Sequence, residues 1–147
     1  MQLIDQPTTV PDPYFQGFFH LEPNQGSLLG APILHGVTMD DALDRNCEDL
    51  ARALTRLEKL TSHDALILLR ASFSAPKVMH TMRSAPCAGH PALDSFDNLL
   101  RQGLSSIMNV ALSDQHWTQA TLPASDGGLG LRQVRIASLA PSAFLAS

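Results

Sequence analysis

The sequence predicts a mainly α-helical protein, a helical bundle of four to five helices with a small β element at its N-terminal end. Between residues 37 and 112, apolar side chains recur at spacings of three and four, the period of a helix that packs on one face. The first 36 residues hold nine prolines and glycines around short apolar runs, a pattern typical of turns and short strands. With 147 residues, 44% of them hydrophobic, the chain is long enough to bury one core.

The chain divides into three segments by its residue pattern. Residues 1–36 form an extended or β segment, residues 37–112 a helical domain, and residues 113–147 a turn followed by the start of a further helix at Pro141. The run Gly127-Gly128-Leu129-Gly130 predicts a tight turn that only glycine makes without strain, and it lacks the Gly-Lys-Ser/Thr ending of a phosphate-binding P-loop.

The first helix is predicted to begin with Thr38 as its N-cap and to run to about Leu60. Its apolar stripe consists of Met39, Leu43, Cys47, Leu50, Leu54 and Leu57. Asp40 and Asp41 would lie in the first turn, where the free backbone N–H groups favour carboxylates. An Asp-Asp pair also occurs in the metal box of polymerases, but that box needs an aromatic residue at position 38 and flanking β-strands. We therefore interpret the pair as the start of a helix.

Three further helical stretches follow. One is predicted to begin at Ser62 and to be the most buried of all, because Ala65-Leu66-Ile67-Leu68-Leu69 is apolar on nearly every side. Pro76 permits a fresh first turn that continues to Ser84. Another helix begins at Pro91, with an apolar stripe of Leu93, Phe96, Leu100, Leu104, Ile107 and Met108. Beyond Ser113 the periodic pattern weakens.

Several classes of protein and site lack support in the sequence. No run of apolar residues is long enough to cross a membrane, and the N-terminus lacks the pattern of a secretory signal, so we expect an intracellular protein, cytoplasmic or nuclear. The two cysteines, Cys47 and Cys87, lie forty residues apart with no CxxC partner, and we expect buried free thiols, with a disulfide as the alternative. The same spacing argues against a zinc site. The six histidines form no HxH or HxxxH pair, so no metal ligands and no catalytic residues are assigned.

Positive charge is concentrated in one segment, although the whole chain has a net charge of −4. Residues 70–101 carry four basic residues against Asp94 and Asp97, a balance of +2, whereas residues 1–69 carry −6. Arg70, Lys77, His80 and Arg83 are expected to share part of a helical face around Pro76. Cations at such spacing neutralise phosphates without reading sequence, so these four residues are the candidate nucleic-acid contacts, with an ordinary solvated surface as the alternative.

Several stretches occur in the order found after the catalytic aspartates of LINE-like (non-LTR) retrotransposon reverse transcriptases. They are residues 28–33 (Leu-Leu-Gly-Ala-Pro-Ile), 63–70, 71–77, 83–87, 117–123, the glycine turn 127–130, and 139–147. Together they span residues 28–147, which is most of the chain. The chain thus resembles the carboxy-terminal part of such an RNA-directed DNA polymerase.

The resemblance implies a palm-junction remnant followed by a thumb-like domain that grips the template–primer duplex. Leu29 and Gly30 would be primer-grip-like residues, and the helices of residues 63–84 would face the duplex. The aspartates that hold Mg²⁺ in the parent polymerase, together with its palm and fingers, would lie before residue 1. We therefore expect no cofactor and no catalytic activity from this chain alone. Its expected partner is template–primer nucleic acid, bound weakly and without sequence preference, and no membrane partner is expected.

A function from another class stays open, namely a helical protein-interaction module with no nucleic-acid role. The positions of the basic side chains discriminate between the two. If Arg70, Lys77 and Arg83 project from one exposed face, duplex contact is favoured. If they scatter, or pair with Asp94 and Asp97, the interaction module is favoured.

Overall fold

The protein is mainly helical, as the sequence predicts, in a computed structural model that describes residues 26–28, 31–32 and 36–137. Two antiparallel strands of two residues each, β1 (Ser27–Leu28) and β2 (Ala31–Pro32), pair with Ser27 opposite Pro32. The helices are α1 (Val37–Leu57), α2 (Ser62–Leu68), α3 (Ala75–Ser84), α4 (Pro91–Met108), α5 (Asp114–Thr121) and α6 (Val134–Ala137). A π-helical turn at Leu69–Phe73 joins α2 to α3, and a 3₁₀ turn at Ala124–Asp126 follows α5.

The core lies between the two long helices, α1 and α4, with α2, α3 and α6 packed around them. The predicted stripe of α1 is buried at Met39, Leu43, Leu50, Leu54 and Leu57, with Cys47 half-buried. The stripe of α4 is buried at Leu93, Phe96, Leu100, Leu104 and Ile107, while Met108 is exposed. Spacings of three and four therefore located both halves of the main interface, because such residues share one side of a helix.

The ends of α1 differ from the prediction. Gly36, not Thr38, is its N-cap, and the Gly36 carbonyl accepts hydrogen bonds from the backbone N–H groups of Met39 and Asp40 at 2.9 and 3.1 Å. Gly36 has a φ of 150°, which favours glycine at this position. The regular helix ends at Leu57, not Leu60, because the N–H groups of Lys59 and Leu60 bond to carbonyls only three residues earlier in the chain.

The prediction that α2 is the most buried helix is wrong. Ile67 and Leu68 are 51% and 39% exposed, and only Ala65 is fully buried within α2. The helix has seven residues, and its main helical neighbour is α4. When a helix carries apolar residues on every side, only the sides that a neighbouring element covers are buried.

The described C-terminal part contains two helices that the periodicity did not indicate, α5 and the four-residue α6. Ser113 is the N-cap of α5, and its side-chain oxygen accepts from the His116 N–H. This helix buries only Trp117 and Ala120, too few positions to show a period. The glycine turn is confirmed, since Gly127 and Gly130 have φ of 78° and 70°. The helix start predicted at Pro141 and Ser142 lies outside the described residues.

Candidate nucleic-acid interface

Three of the four predicted contact residues share the solvent-facing side of α3. Successive residues of an α-helix are rotated by about 100°, so positions 77, 80 and 83 span an arc of about 120°. The opposite side of α3 is buried against the core through Val78, Met79, Thr81 and Met82. Lys77, His80 and Arg83 therefore point away from the core, with His80 and Arg83 exposed and Lys77 partly covered.

The charge of Lys77 is partly neutralised by Asp49 of α1, a residue that the sequence pattern did not indicate. Its Nζ lies 2.8 Å from an Asp49 carboxylate oxygen, and Arg52 binds the other oxygen of the same group. Hydrogen bonds from Lys77 and then from Arg52 lower the pKa of Asp49 below its usual value. Asp49 therefore stays ionised at neutral pH and holds two cations beside each other.

The ion pairs enlarge the basic surface to include Arg52, whose side chain is 70% exposed. We call Arg52, Lys77, His80 and Arg83 the α3 basic face. With neutral His80, three positive charges less the negative charge of Asp49 give the face a net charge of +2. Sequence reasoning missed Arg52 because it comes from α1, and only the packing of α1 on α3 brings it here.

Arg70 occupies a different position from the other three residues. It lies in the π-helical turn and lines a cleft of about 750 Å³ with Pro76, the first exposed residue of α3. Within the described part of the chain, its guanidinium makes no hydrogen bond or ion pair. The prediction that all four basic residues share one helical face is therefore wrong for Arg70, which precedes α3 in the chain and lines a separate cleft.

The basic side chains of the α3 region do not pair with Asp94 or Asp97. Asp94 lies 3.4 Å from Arg135 of α6, and Asp97 accepts hydrogen bonds from the backbone N–H groups of Val134 and Arg135. Arg101, the remaining cation of the basic segment, binds Asp114 at 2.7 Å and the Leu112 carbonyl at 2.8 Å. Arg101 thus holds the loop between α4 and α5, and its charge is paired with that of Asp114.

The primer-grip-like residues Leu29 and Gly30 lie outside the described residues. Their flanking positions, Leu28 and Ala31, are paired in the short antiparallel sheet. Strand β2 packs against α1 and α3, and Pro32 is buried there. Strand β2 therefore lies against these two helices, while the role of Leu29 and Gly30 stays a prediction.

The Asp40–Asp41 pair lies near the start of α1, as predicted. Asp40 lies 2.9 Å from Nε2 of His90, and Nδ1 of the same ring accepts from the Ala92 N–H at the start of α4. Since Nδ1 accepts, the neutral ring carries its proton on Nε2 and donates it to Asp40. Asp40 therefore joins the N-terminal ends of α1 and α4. The described residues contain no group of three or more histidine, cysteine, aspartate or glutamate side chains suited to hold a metal ion.

The two cysteines are free thiols, as predicted, and neither has the environment of a nucleophile. Burial raises the pKa of the Cys87 thiol, and burial together with the negative charge of Asp44 raises that of Cys47. The reactive form of cysteine is the thiolate, which a raised pKa disfavours. Cys87 is only 1% exposed and packs in the core, whereas the half-buried Cys47 thiol donates to the Ala92 carbonyl at 3.5 Å.

Comparison with protein-family models, curated proteins and solved structures finds no match to this chain. The resemblance to reverse transcriptases therefore stays a prediction from the sequence. Among the helices of the described residues, none is long and apolar enough to cross a membrane.

Proposed function

We propose that this chain is the thumb-like, duplex-gripping part of a LINE-like reverse transcriptase and contacts template–primer phosphates through the α3 basic face. The observation that carries the proposal is the common outward direction of Lys77, His80 and Arg83 on one helix. The ordered sequence stretches supply the family, and the helical fold agrees with a thumb. In this proposal the chain binds the template–primer duplex and does not catalyse polymerisation.

The spacing of the α3 basic face suits a phosphate backbone. Residues 77 and 83 are six positions apart, which corresponds to about 9 Å along a helix axis at 1.5 Å per residue. One strand of a duplex presents a phosphate roughly every 3.4 Å along its axis. Two or three successive phosphates therefore lie within reach of Lys77, His80 and Arg83. Such contacts position a duplex and carry no sequence information.

Binding of a short RNA–DNA hybrid across a salt series tests the proposal. Fluorescence anisotropy of the wild-type protein should show an affinity that falls steeply with salt, because bound cations release counterions from the phosphates. Arg83→Ala should weaken binding and reduce the salt slope by about one unit. Asp49→Asn removes the negative charge beside Lys77 and Arg52, so it should strengthen binding and increase the slope.

Arg135→Ala is the matched control, since it removes one exposed arginine that pairs with Asp94 away from the α3 basic face. It should change hybrid binding less than Arg83→Ala. A flat salt slope for the wild-type protein, or equal effects of the two substitutions, would overturn the proposal. Primer extension on RNA with Mg²⁺ that is abolished by Asp40→Asn with Asp41→Asn would also contradict it.

A helical protein-interaction module is the second candidate function. The observation in its favour is the partial exposure of two large apolar side chains of α2, Ile67 at 51% and Leu68 at 39%. Exposed apolar surface is common at protein–protein contacts when it forms a contiguous patch. A flat salt slope combined with unchanged hybrid binding in Arg83→Ala would favour this alternative.

A further inference from the structure

The cleft beside Arg70 is a concave surface of unusual composition for this acidic protein. Its volume is about 750 Å³, and it lies between the π-helical turn, the first turn of α3, the end of α5 and the glycine turn. Its lining residues are Arg70, Ala71, Pro76, Thr121, Pro123, Ala124, Ser125, Gly130 and Arg132. This set contains two arginines and no acidic residue. We call it the Arg70 cleft.

The guanidinium of Arg70 is held against the backbone of Gly130. A Cβ atom at Gly130 would lie 3.0 Å from Arg70 Nε and 3.1 Å from Cζ, so the absence of a side chain there makes room for the guanidinium. Gly130 also has a φ of 70°, a backbone conformation that favours glycine at this point of the turn. The glycine turn therefore places the Arg70 cation in the cleft, although the two lie sixty residues apart.

The cation of Arg70 is available to a ligand. Within the described residues its guanidinium has no acidic partner, whereas Lys77 and Arg101 both have one. Arg132 brings a second guanidinium to the lining, and it takes part in a further interaction of its own. Arg70 is therefore the cation of the cleft that is available to an anion.

The remaining lining residues indicate what kind of anion fits. A planar guanidinium binds phosphate through two parallel hydrogen bonds, and the Ser125 hydroxyl can donate to a further oxygen. The Thr121 hydroxyl donates to the Thr118 carbonyl at 2.7 Å and therefore adds no donor to the cleft. Ala71, Pro76, Pro123 and Ala124 give the cleft apolar walls. Small-molecule sites commonly combine apolar walls with a few polar groups in a volume of about 300–1,000 Å³. A phosphate on an apolar body matches this lining better than a free inorganic anion.

We propose that the Arg70 cleft binds a small organic phosphate monoester, with its phosphate on Arg70 and its apolar body against the proline and alanine walls. The proposal is independent of duplex binding by the α3 basic face. It concerns binding only, and no reaction of the phosphate is implied.

Isothermal titration of the full chain with three probes tests the cleft. Phenyl phosphate carries both the dianion and a planar body, inorganic phosphate only the anion, and phenol only the body. Phenyl phosphate should bind about tenfold or more tightly than either of the other two, since a charge-assisted hydrogen bond and apolar burial each contribute. Equal binding of phenyl phosphate and inorganic phosphate would overturn the proposal.

Substitutions at Arg70 and in the glycine turn locate the site. Arg70→Ala should weaken phenyl phosphate by about tenfold to a hundredfold, the range expected for a hydrogen bond to a charged group. Arg70→Lys keeps the charge but loses the planar fork, so it should weaken binding less than the alanine substitution. Unchanged affinity in Arg70→Ala would overturn the proposal.

Gly130→Ala and Gly127→Ala form a matched pair for the same test. Both glycines have a positive φ, so both substitutions strain the turn, but only a Cβ at Gly130 meets the Arg70 guanidinium. Gly130→Ala should therefore weaken phenyl phosphate binding, while Gly127→Ala should leave it close to wild type. The opposite order of effects would contradict the positioning of Arg70 by Gly130.

Two further measurements identify the kind of phosphate that the cleft prefers and test whether the cleft and the α3 basic face bind independently. Adenosine monophosphate and a 5′-phosphorylated pentanucleotide, each compared with its unphosphorylated form, show whether the cleft prefers a free ligand or the end of a strand. Arg83→Ala should leave phenyl phosphate binding unchanged. If hybrid binding fails its own test while Arg70→Ala still weakens phenyl phosphate binding by the expected factor, the cleft stands without the duplex-gripping function.

Discussion

Gly103 of α4 lies against Leu54 of α1 so closely that a Cβ atom on the glycine would be 2.2 Å from Leu54 Cδ2. Both residues are buried, and they lie where the two longest helices of the described residues pack together. A glycine inside a helix costs roughly 1 kcal/mol relative to alanine. At this position the cost is offset by the close approach that it permits between α1 and α4.

Gly103→Ala should therefore destabilise the protein despite the better helix propensity of alanine. Overpacking a core costs about 1–3 kcal/mol, which exceeds the propensity gain of roughly 1 kcal/mol. In a Leu54→Ala background the same substitution should stabilise, because the new methyl group enters the space left by the leucine. Urea unfolding of the four proteins in this double-mutant cycle measures the change of sign. Additive effects would contradict the close contact.

Asp97 should stabilise the fold through its hydrogen bonds to α6. Its oxygens lie 2.7 Å from the Val134 nitrogen and 3.0 Å from the Arg135 nitrogen, so it serves as an N-cap from another helix. Asp97→Ala should lower the free energy of unfolding by about 1–2 kcal/mol, as for loss of a cap. Asp97→Asn keeps one acceptor and should cost less. Equal losses of unfolding free energy in the two variants, measured by chemical denaturation, would contradict a stabilising role of the Asp97 oxygens.

The same carboxyl should give the protein a measurable pH dependence. Burial raises the pKa of Asp97, while the two backbone hydrogen bonds only partly oppose this effect. Because the folded-state pKa lies above the unfolded value of about 3.9, the folded state binds the proton more tightly. Relative to Asp97→Asn, the wild-type protein should therefore lose stability as pH rises from the unfolded pKa through the folded pKa. A difference that grows in the opposite direction would contradict the raised pKa.

The glycine turn should tolerate alanine at one position and reject it at the next. A Cβ at Gly128 would lie 2.0 Å from the Leu122 carbonyl oxygen, a backbone atom that no side-chain rotation can move away. At Gly127 no atom lies within 4 Å, and only the φ of 78° opposes a side chain. Gly127→Ala should cost about 1–2 kcal/mol, the strain of a left-handed residue. Gly128→Ala should cost more in thermal or urea unfolding, and the reverse order would contradict the turn geometry.

The two thiols should react with a soluble thiol reagent in a fixed order. Cys87 is 1% exposed and Cys47 is half-buried, and burial raises the pKa of both. At neutral pH Cys47 should react more slowly than free cysteine, and Cys87 should react only when the protein unfolds. Labelling of Cys47→Ser and Cys87→Ser variants, with and without urea, resolves the two sites. Fast labelling of Cys87 in the native protein would contradict its burial.

The sequence predicted the long helices well because their apolar residues repeat many times. The stripe from Met39 to Leu57 has enough positions to define one side of α1, and so does the stripe from Leu93 to Ile107 in α4. Prediction from the sequence failed where the apolar pattern was short or had no period. The apolar run at Ala65–Leu69 has no period that distinguishes a covered side from an exposed one, and α5 buries only Trp117 and Ala120.

The sequence by itself determined the local features of this protein, and the tertiary structure decided which side chains meet. Spacing within α3 was sufficient to place Lys77, His80 and Arg83 on one side, because a helix has a fixed rotation per residue. The partners Asp49 and Arg52, and the glycine that positions Arg70, come from residues far away in the chain. Such contacts depend on how helices and turns pack in three dimensions, and no local spacing encodes them.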